Sequence, residues 1–213
     1  MKVFVVGPSI GYSRFIENCE LVDDQEEAQI VLFTGGEDIN PELYGKKRHP
    51  STWFTRSRDR AEVKAFNKMR TDQLAVGICR GLQLFTALNG GILVQDCDNH
   101  AGCGRHLITN GKDTYSITSI HHQMVYPFDM DPSYYDVLYW SEGISTYYEG
   151  DGIDPELLKK YGEPEIVVYH RPGFPVCLGI QGHPEMMVSR VFGGLEQEPV
   201  VDMINSLIKD YVI

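Results

Sequence analysis

The stretch Leu74-Ala75-Val76-Gly77-Ile78-Cys79-Arg80-Gly81 decides the fold of this chain. Leu74 to Val76 is a short apolar run typical of a buried strand, and Leu82, Phe85, Thr86 and Leu88 follow Cys79 at helical spacing. The helix is predicted to stop at Asn89-Gly90-Gly91. Glycine two positions to either side of Cys79 permits a sharp strand-to-helix turn, because such a turn crowds any side chain. The pattern predicts a nucleophile elbow with Cys79 exposed above a sheet.

A thiol at the N-terminus of a helix is chemically activated. The free N–H groups and the positive end of the helix dipole favour the thiolate of Cys79, and the ordinary pKa of a cysteine is about 8.5. The N–H of Arg80 is expected to face the position where an oxyanion develops. We therefore interpret Cys79 as a nucleophile, with a buried structural cysteine in a glycine-rich turn as the alternative.

A second motif, Gln181-Gly182-His183-Pro184-Glu185, follows the apolar segment Val176 to Ile180. A second strand is thus expected to end in a histidine, with a carboxylate two residues later and a proline that fixes the backbone between them. His183 would accept the proton of Cys79, and Glu185 would hold the imidazole in the required tautomer. By itself, His-Pro-Glu is more often an ordinary surface turn. Together with the cysteine elbow it predicts a catalytic base.

A third element is the loop Thr34-Gly35-Gly36-Glu37-Asp38, which follows the apolar run Ile30 to Phe33. Paired glycines let a backbone approach a ligand closely. The N–H groups of Gly35 and Gly36 are candidates for a second oxyanion donor, and one such donor lowers a barrier by roughly 3 kcal/mol. A simple turn explains the two glycines equally well.

The order Cys79, His183, Glu185, with Gln83 four residues after the cysteine, resembles the class I glutamine amidotransferases. Within that family the chain is most similar to the stand-alone γ-glutamyl-γ-aminobutyrate hydrolase branch. The resemblance extends from about Ile30 to Glu185. It also includes Thr34-Gly35-Gly36-Glu37-Asp38, Pro41, Tyr44-Gly45, Arg58-Asp59, Glu62, Gly90-Gly91, Gln95-Asp96 and His121-His122-Gln123.

The resemblance implies a γ-glutamyl amide substrate whose α-amino and α-carboxylate end contacts Gln83, His121, His122 and Gln123. Attack by Cys79 would give an oxyanion held by the N–H groups of Arg80 and of Gly35 or Gly36, and water would then cleave a γ-glutamyl thioester. This chemistry requires no metal and no organic cofactor. Two alternatives remain: a glutaminase component that supplies ammonia to a separate synthetase chain, and a non-catalytic binding module on the same fold.

Two features depart from the family pattern. Gly182 stands where the family commonly has an aromatic residue, so the pocket wall beside His183 is expected to be open or differently filled. The region Tyr134 to Tyr161, with Trp140 and an acidic run at Glu149-Gly150-Asp151-Gly152, matches no family pattern. It is either an insertion that shapes specificity or, as we favour, a solvated loop with one buried aromatic cluster.

Composition bounds the function. With 213 residues, 42% of them hydrophobic, the chain is expected to form one α/β domain over residues 1–213. A net charge of -11 argues against nucleic acid as a partner. No apolar stretch approaches the roughly 20 residues that span a bilayer, and the N-terminal apolar run is too brief for a secretory signal, so no membrane partner is expected. Five cysteines fit a reducing compartment, and we expect a cytoplasmic location.

Strand and helix patterns alternate along the chain. This alternation predicts an α/β fold of three layers, with a mostly parallel sheet and helices on both faces. The resemblance to class I glutamine amidotransferases implies that this fold is of the flavodoxin-like type. The helix from about Ser57 to Arg70 is expected to turn Ala61, Ala65, Phe66 and Met69 toward the sheet. The segments Glu165 to His170 and Phe174 to Gln181 are predicted to form a hairpin, and Val201 to Tyr211 an amphipathic helix.

Cys97, His100, Cys103 and His106 recur every three residues, as soft-metal ligands do by residue type. Zinc sites usually separate their ligand pairs by a longer loop, and Gly102 and Gly104 favour an irregular turn. We therefore expect no metal at these four residues, and we expect His106 and Asp96 to belong to the loop beside the active site.

Overall fold

The computed structural model describes residues 1–102, 104–191 and 194–212. The fifteen strands in these ranges are β1 (Lys2–Val6), β2 (Glu20–Leu21), β3 (Ile30–Phe33), β4 (Leu74–Ile78), β5 (Ile92–Val94), β6 (Asp96–Cys97), β7 (Gly104–Thr109), β8 (Thr114–Ser119), β9 (Met124–Tyr126), β10 (Tyr135–Ser141), β11 (Tyr148–Glu149), β12 (Glu163–Tyr169), β13 (Cys177–Ile180), β14 (Val188–Val191) and β15 (Gly194–Gln197). The four α-helices of the same ranges are α1 (Arg56–Asn67), α2 (Arg80–Asn89), α3 (Pro155–Tyr161) and α4 (Pro199–Tyr211). None of these helices has the length and apolar character needed to cross a membrane.

Nine strands form the central sheet, in the order β2-β1-β3-β4-β13-β12-β10-β7-β8. The strands from β2 to β13 are parallel neighbours. From β13 to β8 every neighbouring pair is antiparallel. Because two reversals restore the direction, β10 and β8 run the same way as β13, and only β12 and β7 run the opposite way. The sheet is therefore mostly parallel, and the predicted α/β class is confirmed.

Helices cover both faces of this sheet. Successive side chains of a strand point to opposite faces, so the apolar central strands present apolar side chains on both sides. On one face, the ring of Phe33 in β3 contacts Phe66 of α1 and Phe85 of α2, with ring centroids 6.3 and 5.1 Å apart. On the other face, the neighbouring Leu32 packs in one cluster with Ile204 of α4. Each of these side chains contributes about 1.5–3 kcal/mol through burial. Both faces of the central strands are thus apolar.

The carboxyl ends of β1, β3, β4 and β13 lie at one edge of the sheet. The register places Val6 beside Phe33, Phe33 beside Gly77, and Ile180 beside Ile78. The segments that follow these strands therefore meet above this edge, which is where open α/β sheets bind their ligands.

The surface that α1 buries differs from the predicted one. The helix spans Arg56–Asn67, and Phe66 is buried as expected, but Ala61 is exposed. Asp59 and Glu62 are buried instead. The spacing of apolar residues could not reveal this, because the two acids are held by ion pairs described below.

The region Tyr134 to Tyr161 is not a solvated loop, and that interpretation was wrong. Its residues Tyr135–Ser141 form β10, a strand of the central sheet that pairs with β12 on one side and β7 on the other. The pairing with β12 contains register shifts between Val137 and Trp140, which break the strict alternation that a sequence pattern would show.

Candidate active site

Cys79 lies at the tip of the turn between β4 and α2, with φ 50° and ψ -102°. A positive φ is strained for a residue other than glycine, and such strain is common at functional positions. The flanking glycines are steric requirements: a Cβ on Gly77 would lie 2.6 Å from the carbonyl carbon of Gly81, and a Cβ on Gly81 would lie 2.6 Å from the oxygen of Phe33. The backbone has the predicted elbow geometry. Cys79 is only 6% exposed, however, so the expected exposure of this residue was wrong.

His183 and Glu185 are buried together just after β13. Nδ1 of His183 lies 2.7 Å from Oε1 of Glu185. The backbone of His183 is held by Thr118, whose Oγ1 accepts from its N–H at 3.1 Å and donates to its carbonyl at 2.9 Å. A carboxylate at Nδ1 favours the tautomer with its proton on Nδ1, which leaves Nε2 for Cys79.

The three side chains of Cys79, His183 and Glu185 influence one another. Burial lowers the pKa of His183, but the contacts with Cys79 and Glu185 outweigh burial and raise this pKa to about 10. Nε2 of His183 has no hydrogen bond to any described residue, while the pKa of this imidazole responds to the Cys79 thiol. A protonated imidazole in this position has the charge that stabilises a thiolate.

The backbone of Gly35 lies against the His183 ring. A Cβ on Gly35 would be 2.9 Å from Cε1 of His183 and 3.0 Å from Oη of Tyr12. The carbonyl of Gly35 accepts from Nη2 of Arg58 at 2.7 Å. Because the peptide plane is trans, the N–H of Gly36 is directed away from Arg58. Arg58 thus fixes the orientation of the loop that holds both candidate oxyanion donors.

The side chain of Arg80 points away from the thiol and is fully buried. Its Nη2 pairs with Asp59 at 2.8 Å and with Glu62 at 2.9 Å, both on α1. Its Nη1 donates to the carbonyl of Glu37 at 2.9 Å. The guanidinium therefore links α1 to the loop Thr34 to Asp38. Of the groups of Arg80, the backbone N–H is the one available to an oxyanion.

Three of the four candidate substrate residues are buried and bonded to each other. Nε2 of Gln83 donates to the carbonyl of Gln123 at 3.2 Å, and Nδ1 of His121 lies 2.9 Å from the same oxygen. The side chain of Gln123 donates to Oγ1 of Thr52 at 3.1 Å. The structure brings Gln83, His121 and Gln123 together as a network with little exposed surface.

His122 is the partly exposed member of this group, with 34% of its side chain accessible. Its Nε2 lies 3.2 Å from Asp38 and its Nδ1 3.0 Å from Asp96. The hydrogen bond to Asp38, together with Asp96 and against an opposing effect of burial, raises the pKa of His122 to about 9. Asp96 also accepts from Oη of Tyr147 at 3.1 Å. His122 is therefore a cation between two carboxylates.

Tyr12 is a residue of the site that sequence reasoning missed. It lies in the short helical turn Ile10–Phe15 after β1, and its ring centroid is 6.3 Å from that of His183. Burial, followed by the charges of Glu185 and Cys79, raises its pKa. Tyr12 is not part of a recognisable motif. The sequence feature that could have indicated it is its position just after β1, whose carboxyl end lies at the same edge of the sheet as the candidate site.

The wall beside His183 is filled rather than open. A Cβ on Gly182 would lie 2.6 Å from Cγ1 of Ile117 and 2.6 Å from the carbonyl oxygen of Thr118. Strand β8 thus occupies the space that an aromatic side chain would need. Of the two possibilities left open by the sequence, the structure selects the differently filled wall.

Part of this chain is similar in sequence to known proteins. Residues 25–126 match the sequence profile of the Peptidase C26 family. A glutamine amidotransferase-like protein of Lactococcus lactis subsp. cremoris is 31% identical over 117 residues, which cover 45% of this chain and 62% of the relative. A glutamine amidotransferase of Mycobacterium tuberculosis is 34% identical over 83 residues, which cover 38% of this chain and 27% of the relative. The chain spans less than two thirds of the length of both relatives.

Two solved structures share the fold. A glutamine amidotransferase of Thermotoga maritima superimposes with a TM-score of 0.53 at 15% identity, over 87% of this chain and 76% of the other. A GMP synthase subunit of Thermoplasma acidophilum gives a TM-score of 0.53 at 15% identity, over 87% of this chain and 84% of the other. At this identity the structures support the fold alone. The sequence matches show that part of this chain is similar to Peptidase C26 and glutamine amidotransferase-like proteins.

Proposed function

We propose that this chain, as a relative of Peptidase C26 and glutamine amidotransferase-like proteins, hydrolyses a γ-glutamyl amide through a γ-glutamyl thioester on Cys79. The observation that carries the proposal is the buried imidazole of His183, whose Nδ1 lies 2.7 Å from Oε1 of Glu185 and whose pKa is raised by Cys79 and Glu185. A nucleophile, a base and an orienting carboxylate in this order are what covalent acyl transfer requires.

The first half of the reaction forms the thioester. The Cys79 thiolate attacks the γ-carbonyl carbon, and the electron pair of the carbonyl moves to its oxygen. The N–H groups of Arg80 and of Gly35 or Gly36 stabilise this oxyanion, each by roughly 3 kcal/mol. When the tetrahedral species collapses, the C–N bond breaks, and His183 transfers its Nε2 proton to the leaving ammonia or amine.

The second half of the reaction restores the enzyme. His183, now neutral, removes a proton from water, and the resulting hydroxide attacks the thioester carbon. The C–S bond breaks, the thiolate of Cys79 leaves, and glutamate is released. Glu185 remains ionised throughout and stabilises the imidazolium each time it forms.

Charges beside the site suit the α-amino and α-carboxylate groups of a γ-glutamyl substrate. The carboxylates of Asp38 and Asp96 attract an ammonium group, and the cationic His122 between them attracts a carboxylate. In this proposal Gln83, His121 and Gln123 act by holding the segment that presents His122.

The test is release of glutamate from a panel of glutamine, γ-glutamyl amines and γ-glutamyl peptides. We expect turnover of at least one of them, loss of it in Cys79→Ala, and no change in Cys19→Ala, which removes a free thiol elsewhere in the fold. Labelling of Cys79 by a glutamine-derived electrophile without turnover would favour an ammonia supplier that needs a synthetase partner. Neither labelling nor turnover would favour a non-catalytic binding module and contradict the proposal.

A further inference from the structure

A second buried cluster of ionisable side chains lies outside the candidate active site. It consists of His100, in the segment before β7, His106 of β7 and Glu165 of β12. One nitrogen of each histidine and one carboxylate oxygen lie within 4.8 Å of one another. His100 and Glu165 are buried, and the His106 side chain is 6% exposed. Nε2 of His106 is 3.0 Å and Nδ1 of His100 is 3.9 Å from Oε1 of Glu165.

The charges of this cluster are unusual. Glu163 and Glu165 are both buried in the same strand, and in the described part of the chain their ion-pair partners are histidines, with no lysine or arginine among them. A buried carboxylate is costly unless a positive charge or several hydrogen bonds compensate it. Glu163 has several hydrogen bonds, described next, so Glu165 is the buried carboxylate that still needs a positive charge.

Glu163 fixes the orientation of His100. Its Oε2 lies 3.1 Å from Nε2 of His100, and its oxygens accept from Oγ of Ser141, the N–H of Ser145 and Oη of Tyr148 at 2.7–2.9 Å. An acceptor held in this way favours the tautomer of His100 with its proton on Nε2, so that the lone pair of Nδ1 faces Glu165 and Oγ of Ser119 at 3.3 Å. A carboxylate behind one imidazole nitrogen is the usual support of a metal-binding histidine.

Several polar atoms around the cluster have no hydrogen bond to any described residue. They are both ring nitrogens of His106, Oε2 of Glu165, and Nε2 of His121, whose ring centroid is 4.4 Å from that of His100. The short contact between His106 and Glu165 is not aligned as a hydrogen bond. A buried polar atom left in this state costs about 1–3 kcal/mol. A cation bound between the histidines and the carboxylate would satisfy the donor atoms and supply the missing charge.

We propose that His100, His106 and Glu165 bind one divalent transition-metal ion, of which zinc is the best match. Two imidazoles and one carboxylate are a known zinc ligand set, whereas magnesium and calcium prefer oxygen ligands to imidazole nitrogen. Ligand bonds of about 2.0–2.2 Å place tetrahedral donors roughly 3.3 Å apart. The pair His106 and Glu165 already has such a spacing, and Nδ1 of His100 needs to approach by less than an ångström.

This ligand set differs from the four residues that the sequence spacing brought together. His100 and His106 belong to both sets, Cys97 lies outside the cluster, and Cys103 lies outside the described residues. Glu165 is contributed by a distant strand. The ion would join the segment before β7, β7 itself and β12, whose Glu165 carbonyl accepts from the N–H of Gln181 at 2.8 Å, two residues before His183. Its role is to fix this half of the sheet, without contact to the thiol.

The test uses the untagged protein, stripped with a chelator and titrated with Zn²⁺ alone against a chromophoric competitor. Elemental analysis is expected to give one zinc per chain. His106→Gln and Glu165→Gln should each weaken binding by at least ~100-fold, and Glu163→Gln by the 10–100-fold typical of a supporting carboxylate. His170→Gln should bind like the wild type, because that histidine is surface-exposed and pairs with Asp136.

The proposal would be overturned by the absence of stoichiometric zinc in the wild-type protein, or by unchanged affinity in His106→Gln. Loss of zinc in Cys97→Ala with retention in His106→Gln would also overturn it, because the ligands would then be thiols. Far-ultraviolet circular dichroism checks that each variant folds. If Glu165→Gln does not fold, Co²⁺ titration of the wild type and of His106→Gln gives the same decision, since the visible absorption of bound cobalt should appear only in the first.

Discussion

Nη2 of Arg80 lies 2.8 Å from Oδ1 of Asp59 in a fully buried ion pair directly behind the candidate nucleophile. Arg80 follows Cys79 in the chain, so this pair ties the N-terminus of α2 to α1. Glu62 and the carbonyl of Glu37 complete the surroundings of the guanidinium. The charges that hold the Arg80 side chain are therefore supplied by α1, 18 and 21 residues earlier in the chain.

Removal of one partner from this pair should destabilise the fold. Asp59→Ala leaves a buried guanidinium with incomplete compensation, and we expect a loss of about 3–5 kcal/mol in the free energy of unfolding. Urea denaturation measures this loss. The control is Asp72→Ala, which breaks an exposed pair with Arg70 and should leave the midpoint unchanged. Equal midpoints for both variants would contradict a structural role of the Arg80 pair.

The requirement for Gly77 could be predicted from sequence because it is local: the turn itself brings the backbone of Gly81 within 2.6 Å of a Cβ at this position. The requirement for Gly81 is tertiary, because the carbonyl oxygen of Phe33 in β3 would lie 2.6 Å from its Cβ. The buried acids of α1 could not be predicted, because Asp59 and Glu62 are tolerated inside only through Arg58 and Arg80. The apolar pattern predicted that Ala61 faces the sheet, but this residue is exposed in the structure.

The same distinction explains what the sequence revealed of the site. Cys79, His183 and Glu185 each end or follow a strand with a clear apolar pattern, so parallel pairing brings them to one edge. Tyr12 and Asp38 reach the candidate site only through the folding of the loops that contain them. The cluster of His106 and Glu165 depends on the position of β10 between β7 and β12 in the sheet, which no local spacing encodes.

A methyl group at Gly77 should disrupt the elbow. The new Cβ would lie 2.6 Å from the backbone carbon of Gly81, which cannot move as a flexible side chain can. We expect Gly77→Ala to cost at least about 1–3 kcal/mol of stability, the usual range for overpacking. Thermal unfolding measures the effect. Gly102→Ala is the matched control, because its Cβ would meet no atom of the described residues within 4 Å, its chain neighbours aside. A fully stable Gly77→Ala protein would contradict the steric argument.

Substitution of Glu185 should change both the rate and its pH profile. In Glu185→Gln the carboxylate that helps to raise the pKa of His183 to about 10 is gone, so the pKa of His183 should fall. If glutamate release is the activity, we expect its rate to decrease on the order of 10²–10⁴-fold. The alkaline limit set by His183 should move to lower pH. An unchanged profile would contradict the assigned role, and Glu156→Gln, on the exposed surface of α3, is the control.

His122 should make stability depend on pH in the neutral to alkaline range. Its folded pKa of about 9 exceeds the ordinary value of 6.5 because it lies between Asp38 and Asp96. The folded protein therefore holds this proton more tightly than the unfolded chain. The resulting stabilisation is fully present below pH 6.5 and is lost as the pH rises through 9. Tyr147, which donates to Asp96, has a raised pKa and stays neutral over this range.

The measurement is the urea midpoint of the wild type and of His122→Gln at a series of pH values. The difference between the two proteins cancels the titration of groups elsewhere in the fold. We expect the wild type to lose its advantage progressively between pH 6.5 and pH 9. A difference that is constant over this window would mean that His122 does not bind its proton more tightly in the folded state, and a difference that grows with pH would reverse the sign of the argument.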